Sequence, residues 1–430
     1  MLLAAIGVLI AVLFPSGEEQ PEQSAVSVFK LPDADVRAMK ITTPDNVVDV
    51  VKKDGIWSYR NEPDAELDQS SMESALTMVC YLYAREQLFD SVEDISVYGL
   101  DPAQMLVELE LADGSRQDIS FGSYTSSRDA VFMKHSGSDA VYLYDLDSYS
   151  ILQKAAESMR DLTIDIDADS LVKIEIMRTD GERVPVTMEL IPEKERVALE
   201  TWKLVSPFDA LANGQAVSLV QNFFASPRFA AFCGDEVLDE YGFGTSSAYI
   251  YLEEEDGNCV RLNVGARTES GRYYCMQEGR KGVYELASGF ESLFKLKDEN
   301  IFPGVVFPLS AEERADVCLY VTNDIYILAE AQSKGYTLND NMLSDAVAEE
   351  LYEKLAGLKF AGVSKDADIS GGPYAEISLK NGENSLLFSF YEYRNEFYAV
   401  CLNGSEKASG YVAAADMKEL ISGFNKAANG

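Results

Sequence analysis

Tyr98-Gly99 returns as Tyr241-Gly242, Asp113-Gly114 as Asp256-Gly257, and Gly122 as Gly265, each pair 143 residues apart. This spacing constrains the chain more than any local propensity does. A bend, a hairpin turn and a glycine inside a strand keep one offset only if a folding unit has been copied. The two tryptophans follow suit, with Trp202 lying 145 residues after Trp57.

Each copy reads as antiparallel strands, a helix, more antiparallel strands and a closing helix. In the first, "VRAMKITT" and "NVVDVVKKDGIWSYR" are strands separated by turn residues, and "LDQSSMESALTMVCYLY" switches to helical spacing. Met72, Leu76, Val79 and Tyr83 fall on one helical face, and Asp68 or Ser70 can cap its start. "MLVELELADG" alternates strictly, with Met105, Val107, Leu109 and Leu111 on one side and Glu108 and Glu110 on the other. The second copy repeats the tryptophan strand and a helix with Val217, Val220 and Phe224 on its apolar face. The third lacks tryptophan, but "NDNMLSDAVAEELYEKLAGL" puts Leu343, Val347, Leu351 and Leu355 on one stripe. The fold class expected is therefore α+β, as tandem repeated domains of antiparallel sheet plus helices, with an N-terminal apolar helix. The boundaries expected are 1–14 for a membrane anchor or signal segment and 15–35 for an acidic linker. Three repeats then follow at 36–166, 167–304 and 312–430.

The anchor expectation rests on "MLLAAIGVLIAVLF", apolar throughout, followed by the polar "PSGEEQPEQSAVSV". As a helix it covers about 21 Å, short of the ~30 Å hydrocarbon core. No basic stretch precedes it and no small-residue cleavage site follows. An uncleaved anchor whose true start lies upstream is preferred over a signal peptide, which places the body outside the cytoplasm at the cell membrane.

Composition excludes several classes. The 36 basic and 72 acidic side chains leave a net charge of −36, so nucleic acid is not an expected partner. With 23 Tyr, 20 Phe and 47% hydrophobic residues, the acidity is that of a folded surface rather than a disordered chain. The six cysteines lack metal or redox spacing and read as buried free thiols.

The order of "GIWSYRNEPDAELDQSSMESAL", "VYGLDP", "ELADGSRQDISFG", "AVYLYDLDSY" and "MRDLTI" resembles the DUF4340 domain, a bacterial family of unknown function. The first copy carries the whole set. The second carries "TWKLVSPFDALANGQAVSLV" and "EYGF" but replaces the Leu-Asp-Pro, and the third matches by element order alone. The resemblance covers most of residues 36–303. It implies envelope proteins with one N-terminal transmembrane helix, some encoded beside ABC transporters of the gliding-motility type. The function expected from it is a membrane-tethered extracytoplasmic binding or scaffold protein. Its expected partners are membrane proteins such as transporter components, and the bilayer. The family brings no catalytic residues.

The residues themselves nominate no catalytic, cofactor-binding or metal site. His135 is the only histidine, and no G-x-S-x-G elbow accompanies it. Asp165, Asp167 and Asp169 alternate as calcium ligands do, but Ser170 and Ile176 stand where a calcium loop needs Gly and Glu. Trp57 and Trp202 occupy matching strands and read as core. No enzyme is expected. The alternative, a carboxylate-based hydrolase of a cell-envelope polymer, requires two convergent acids about 5–10 Å apart in a cleft.

Overall fold

A computed structural model describes residues 25–179, 184–244, 246, 248–309, 315–331, 335–363, 367, 369 and 371–430. It contains three large sheets, antiparallel throughout, with eight, nine and nine strands. Alternation of apolar and polar residues makes each strand half-buried, so each sheet packs helices on its apolar face.

The first sheet runs Ile56–Tyr59, Val47–Lys53, Val36–Thr42, Met105–Leu111, Arg116–Tyr124, Ala130–His135, Val141–Asp145 and Glu86–Phe89. The strand Glu86–Phe89 crosses to the far edge beside Val141–Asp145, and the others form two meanders joined at Val36–Thr42 and Met105–Leu111. The second sheet repeats this order around Leu171–Met177 and Tyr249–Glu254, and the third around Asp316–Val321 and Ala375–Asn381. The α+β class and the repetition of antiparallel sheets thus match the sequence reading.

The first helix starts at Asp68, one of its two expected caps, and three others also start on capping side chains. Asp68 accepts from Ser71 N at 3.0 Å, Asp145 from Ser148 N at 3.0 Å, Asn213 from Gln215 N at 2.9 Å and Ser344 from Val347 N at 3.4 Å. Two helix assignments need correction. The first helix ends at Cys80, and Tyr83 lies on the strand Tyr81–Ala84, which pairs with Val26–Lys30. Tyr81-Leu82-Tyr83 has strand propensity, and a partner strand from the segment read as a linker satisfies its backbone. Likewise Asn341–Leu343 is a strand, so Leu343 stands outside the helix Asp345–Ala356, whose buried stripe is Ala348, Leu351, Tyr352 and Leu355.

The expected N-terminal helix is also corrected. The first described element is the strand Val26–Lys30, and among the described residues no helix is long and apolar enough to cross a membrane. The longest, Ala414–Asn429, has 16 residues and buries only one stripe, Ala414, Met417, Leu420 and Phe424. The single span, the bilayer and transporter partners, the extracytoplasmic placement and the tethered scaffold role all depended on that helix, and all lose their support. Residues 1–14 themselves lie outside the described residues.

The chain divides into two compact units, 1–161 and 162–430. The first has one core, in which Trp57, Met72, Leu76, Val107, Leu109 and Phe121 are buried together. In the second unit the two sheets share apolar contacts. Phe302 lies 4.2 Å from Phe360, and Phe307 packs at 4.8 Å on Phe388. Asp209 accepts from Ser405 Oγ at 2.6 Å and gives its carbonyl to Ser409 Oγ.

Candidate functional site

The repeated landmarks make one local device. Ser96–Tyr98 is a 3-10 turn ended by Gly99 at φ 68°, and Asp239–Tyr241 is another ended by Gly242 at φ 72°. Each turn lies against a neighbouring strand so closely that a side chain there would collide. A Cβ on Gly122 would sit 2.2 Å from Tyr98 O, and one on Gly265 would sit 2.2 Å from Tyr241 O. The strands bend at these points, with register shifts between Phe121 and Tyr124 and between Val264 and Arg267. The constant 143-residue offset is therefore the signature of a turn seated on a glycine.

In the first module this bend opens a groove of about 500 Å³. Its walls are the Thr43–Asn46 turn, Gln104 and Met105, the bent segment Gly122–Tyr124, and the helix residues Tyr149, Gln153, Ala156 and Glu157. Asn46 fixes the turn to the helix end by donating through Nδ2 to Ala156 O at 2.9 Å and Glu157 O at 2.8 Å. Those carbonyls are among the last in the helix and need such a donor. Tyr124 is 43% exposed and packs edge-on against Tyr149, with centroids 6.0 Å apart. Its hydroxyl accepts from Gln153 Nε2 at 3.1 Å. Burial, reinforced by Tyr124, pushes the Tyr149 phenol up to about 12, so it stays neutral.

The second module fills the corresponding place differently. Arg267 stands 143 residues after Tyr124 and pairs with Glu291 at 2.6 Å. Its closing helix is shortened to Glu291–Phe294. The groove was not legible in the sequence, because it needs a turn, a bend and a helix that lie about 100 residues apart.

The sequence-flagged residues lie elsewhere. His135 ends its strand, 7% exposed, stacked on Phe29 with centroids 4.6 Å apart. Gly137 N donates to its Nδ1 at 3.3 Å, so the ring proton sits on Nε2 and faces Gln117 Oε1 at 3.0 Å. Burial, then the nearby Lys134, lowers its pKa, with Asp118 opposing. Asp167 caps the short turn Ala168–Ser170 by accepting from Asp169 N at 3.0 Å. Beside it Glu254, the only buried carboxylate among the described residues, accepts from Asp167 N and Ser170 Oγ, each at 3.0 Å, and from Asn258 Nδ2 at 2.7 Å. Asp165 O accepts from the same Asn258 side chain at 3.1 Å. These acids join the start of the module to its hairpin, and Glu254 has no second buried acid to work with.

Trp57 and Trp202 are both buried, on the strand that follows the opening hairpin. Gln69 clasps the Trp57 backbone, accepting from its N at 3.0 Å and donating to its O at 2.8 Å. Ala212 N donates to Trp202 O at 2.8 Å.

A family model described as a domain of unknown function, DUF4340, matches residues 57–243 and again 202–374. The two matches start on Trp57 and Trp202, the paired tryptophans. The chain belongs to the DUF4340 family. The first match ends at Phe243, just past the second module's Tyr241-Gly242 turn, so the DUF4340 unit spans more than one sheet. Comparison with curated proteins and with solved structures returned no match.

Proposed function

We propose that this DUF4340 protein is a non-catalytic binding protein whose first module takes a small, uncharged, hydroxyl-rich ligand, such as a short neutral glycan. The observation that carries the reading is the groove's side-chain complement. Gln104 and Gln153 supply amides, Asn46 an amide oxygen beside its two bonds to the helix end, Thr43, Ser123 and Tyr124 supply hydroxyls, and no Lys, Arg or His is present. Amides and hydroxyls both donate and accept, as sugar hydroxyls do, and the half-exposed Tyr124 ring offers an apolar face. An anion would meet Asp45 and Glu157 with no cation to offset them. The Arg267–Glu291 pair in the second module supports treating the groove as a property of one module rather than a by-product of the repeat. Its hydroxyls have no imidazole beside them, since the single histidine is held by Phe29 and Gln117.

The test is calorimetric titration of the full chain with neutral tetrasaccharides of glucose and of N-acetylglucosamine, and with a sugar phosphate. A single site for a neutral sugar is expected, with Kd of roughly 10 µM to 1 mM. Tyr124→Ala and Gln153→Ala should each weaken it about tenfold, equal to ~1.4 kcal/mol, and Arg267→Ala should leave it unchanged. Binding of none of the neutral sugars, binding indifferent to Tyr124 and Gln153, or turnover of the bound sugar would each overturn the proposal.

A further inference from the structure

On the polar face of the first sheet, register sets charged side chains in two rows. Lys40 stands opposite Asp49 and Glu108, while Ala38 stands opposite Glu110, which in turn faces Arg116. Met39 and Ile41 are buried on the other face. The long charged chains wall a hollow of about 300 Å³ that is floored by Ala38. It shares no residue with the groove beside Gly122.

The other two sheets fill this place. Ala38 follows the register shift of its strand and precedes the inward Met39. Lys173 holds the same position in the second sheet, after the shift at Leu171 and before the inward Ile174. It stands opposite Glu253, and its ammonium lies 5.7 Å from the centre of the Tyr251 ring. In the third sheet Asp316, which precedes the inward Val317, stands opposite Lys380. Opposite charges thus face each other across the strands in two sheets, whereas in the first Glu110 faces a methyl group. The hollow is the space that a lysine takes in the second sheet.

Its walls select what enters that space. Lys40 meets Glu108 at 3.3 Å, and Arg60 meets Asp49 at 3.0 Å and Glu110 at 3.7 Å. Arg116 has no side-chain partner among the described residues. The three cations and three carboxylates of the walls balance, so a ligand with a net charge would leave one sign unmatched. A cation seated over Ala38 is to Glu110 what Lys173 is to Glu253, and an anion beside it gives Arg116 the partner it lacks. Cross-strand neighbours such as Glu110 and Arg116 stand about 5 Å apart at Cβ, so both charges belong to one small molecule. Exposed ion pairs contribute little to stability, which leaves the wall side chains free to regroup around it. We propose that this hollow binds a free α-amino acid, with its ammonium over Ala38 beside Glu108 and Glu110 and its carboxylate on Arg116.

The test is calorimetric titration of the full chain with the proteinogenic amino acids, and with ethylamine and acetate, which each carry one of the two charges. A single site for at least one amino acid is expected, with Kd of roughly 10 µM to 1 mM. Ethylamine and acetate should bind at least about tenfold more weakly. Ala38→Lys, an outward-facing change that gives the first sheet the second sheet's residue, should remove binding. Arg116→Ala, at an exposed position, should weaken it about tenfold, and Tyr124→Ala in the groove should leave it unchanged. Saturation by none of the amino acids, equal binding of ethylamine or acetate, retention of binding in Ala38→Lys, indifference to Arg116→Ala, or loss in Tyr124→Ala would each overturn the proposal.

Discussion

At the residue scale, the strictest requirements fall on glycines that sequence spacing singled out without explaining. Gly122 and Gly265 must lack a side chain because a backbone carbonyl lies 2.2 Å from each Cβ position. A carbonyl in a seated turn cannot move aside, so Gly122→Ala or Gly265→Ala should cost on the order of 3 kcal/mol. Gly257 faces open space and is constrained only by its φ of 91°, so Gly257→Ala should cost about 1 kcal/mol. Urea midpoints of the three variants check the ranking. His135 makes a second prediction. Its folded-state pKa is lowered from 6.5, so the unfolded chain binds more protons as the pH falls below 6.5. The stabilisation from the neutral ring is therefore complete above 6.5 and is lost as pH falls through the lowered value. Protonation also ends the acceptor role of Nδ1 toward Gly137 N. Wild type should lose stability on acidification relative to His135→Asn, measured by denaturant titration at pH 7.5 and 5.5, and parallel losses would refute this account.

At the element scale, caps and edges decide where structure stops. The helix Leu146–Glu157 supplies both Tyr149 and Gln153 to the groove, and its first turn is held by Asp145. Asp145→Ala should destabilise the first unit by about 1 kcal/mol, as loss of an N-cap usually does. It should also weaken ligand binding less than Gln153→Ala does, and thermal melts beside titrations separate the two effects. The far-edge strands Glu86–Phe89 and Ala231–Gly234 are four residues each, and both carry a register shift against their single neighbour. Short, bulged edges followed by acidic loops resist pairing with another chain.

At the scale of the whole molecule, three sheets form two compact units. Residues 25–161 hold a complete core and should fold alone, giving a cooperative melt and dispersed NMR spectra. Residues 312–430 should not, because they lack Val306 and Phe307, both buried against the third sheet. Removing a buried phenylalanine alone costs about 3–5 kcal/mol, a large share of a domain's stability. Residues 162–430 should fold as one unit, and two separate transitions within that fragment would contradict the shared core.

Much of this architecture was legible because its causes are local. Strict alternation in "MLVELELADG" fixes a half-buried strand, Asp68 fixes a helix start, and a constant offset fixes the copying. The misread segments were those whose state depends on a distant partner. Tyr81–Ala84 continues a helical pattern but becomes a strand because Val26–Lys30 pairs with it. Leu343 fits a helical stripe but belongs to a strand because Thr337 lies opposite Met342. The same holds for function. Amides at Asn46, Gln104 and Gln153 carry no motif, and only the bend at Gly122 brings them to one groove. The sequence by itself determined the repeated α+β plan, since periodicity and turn chemistry act within a few residues. Tertiary structure alone decided which surfaces are open, because exposure depends on contacts between residues far apart in the chain.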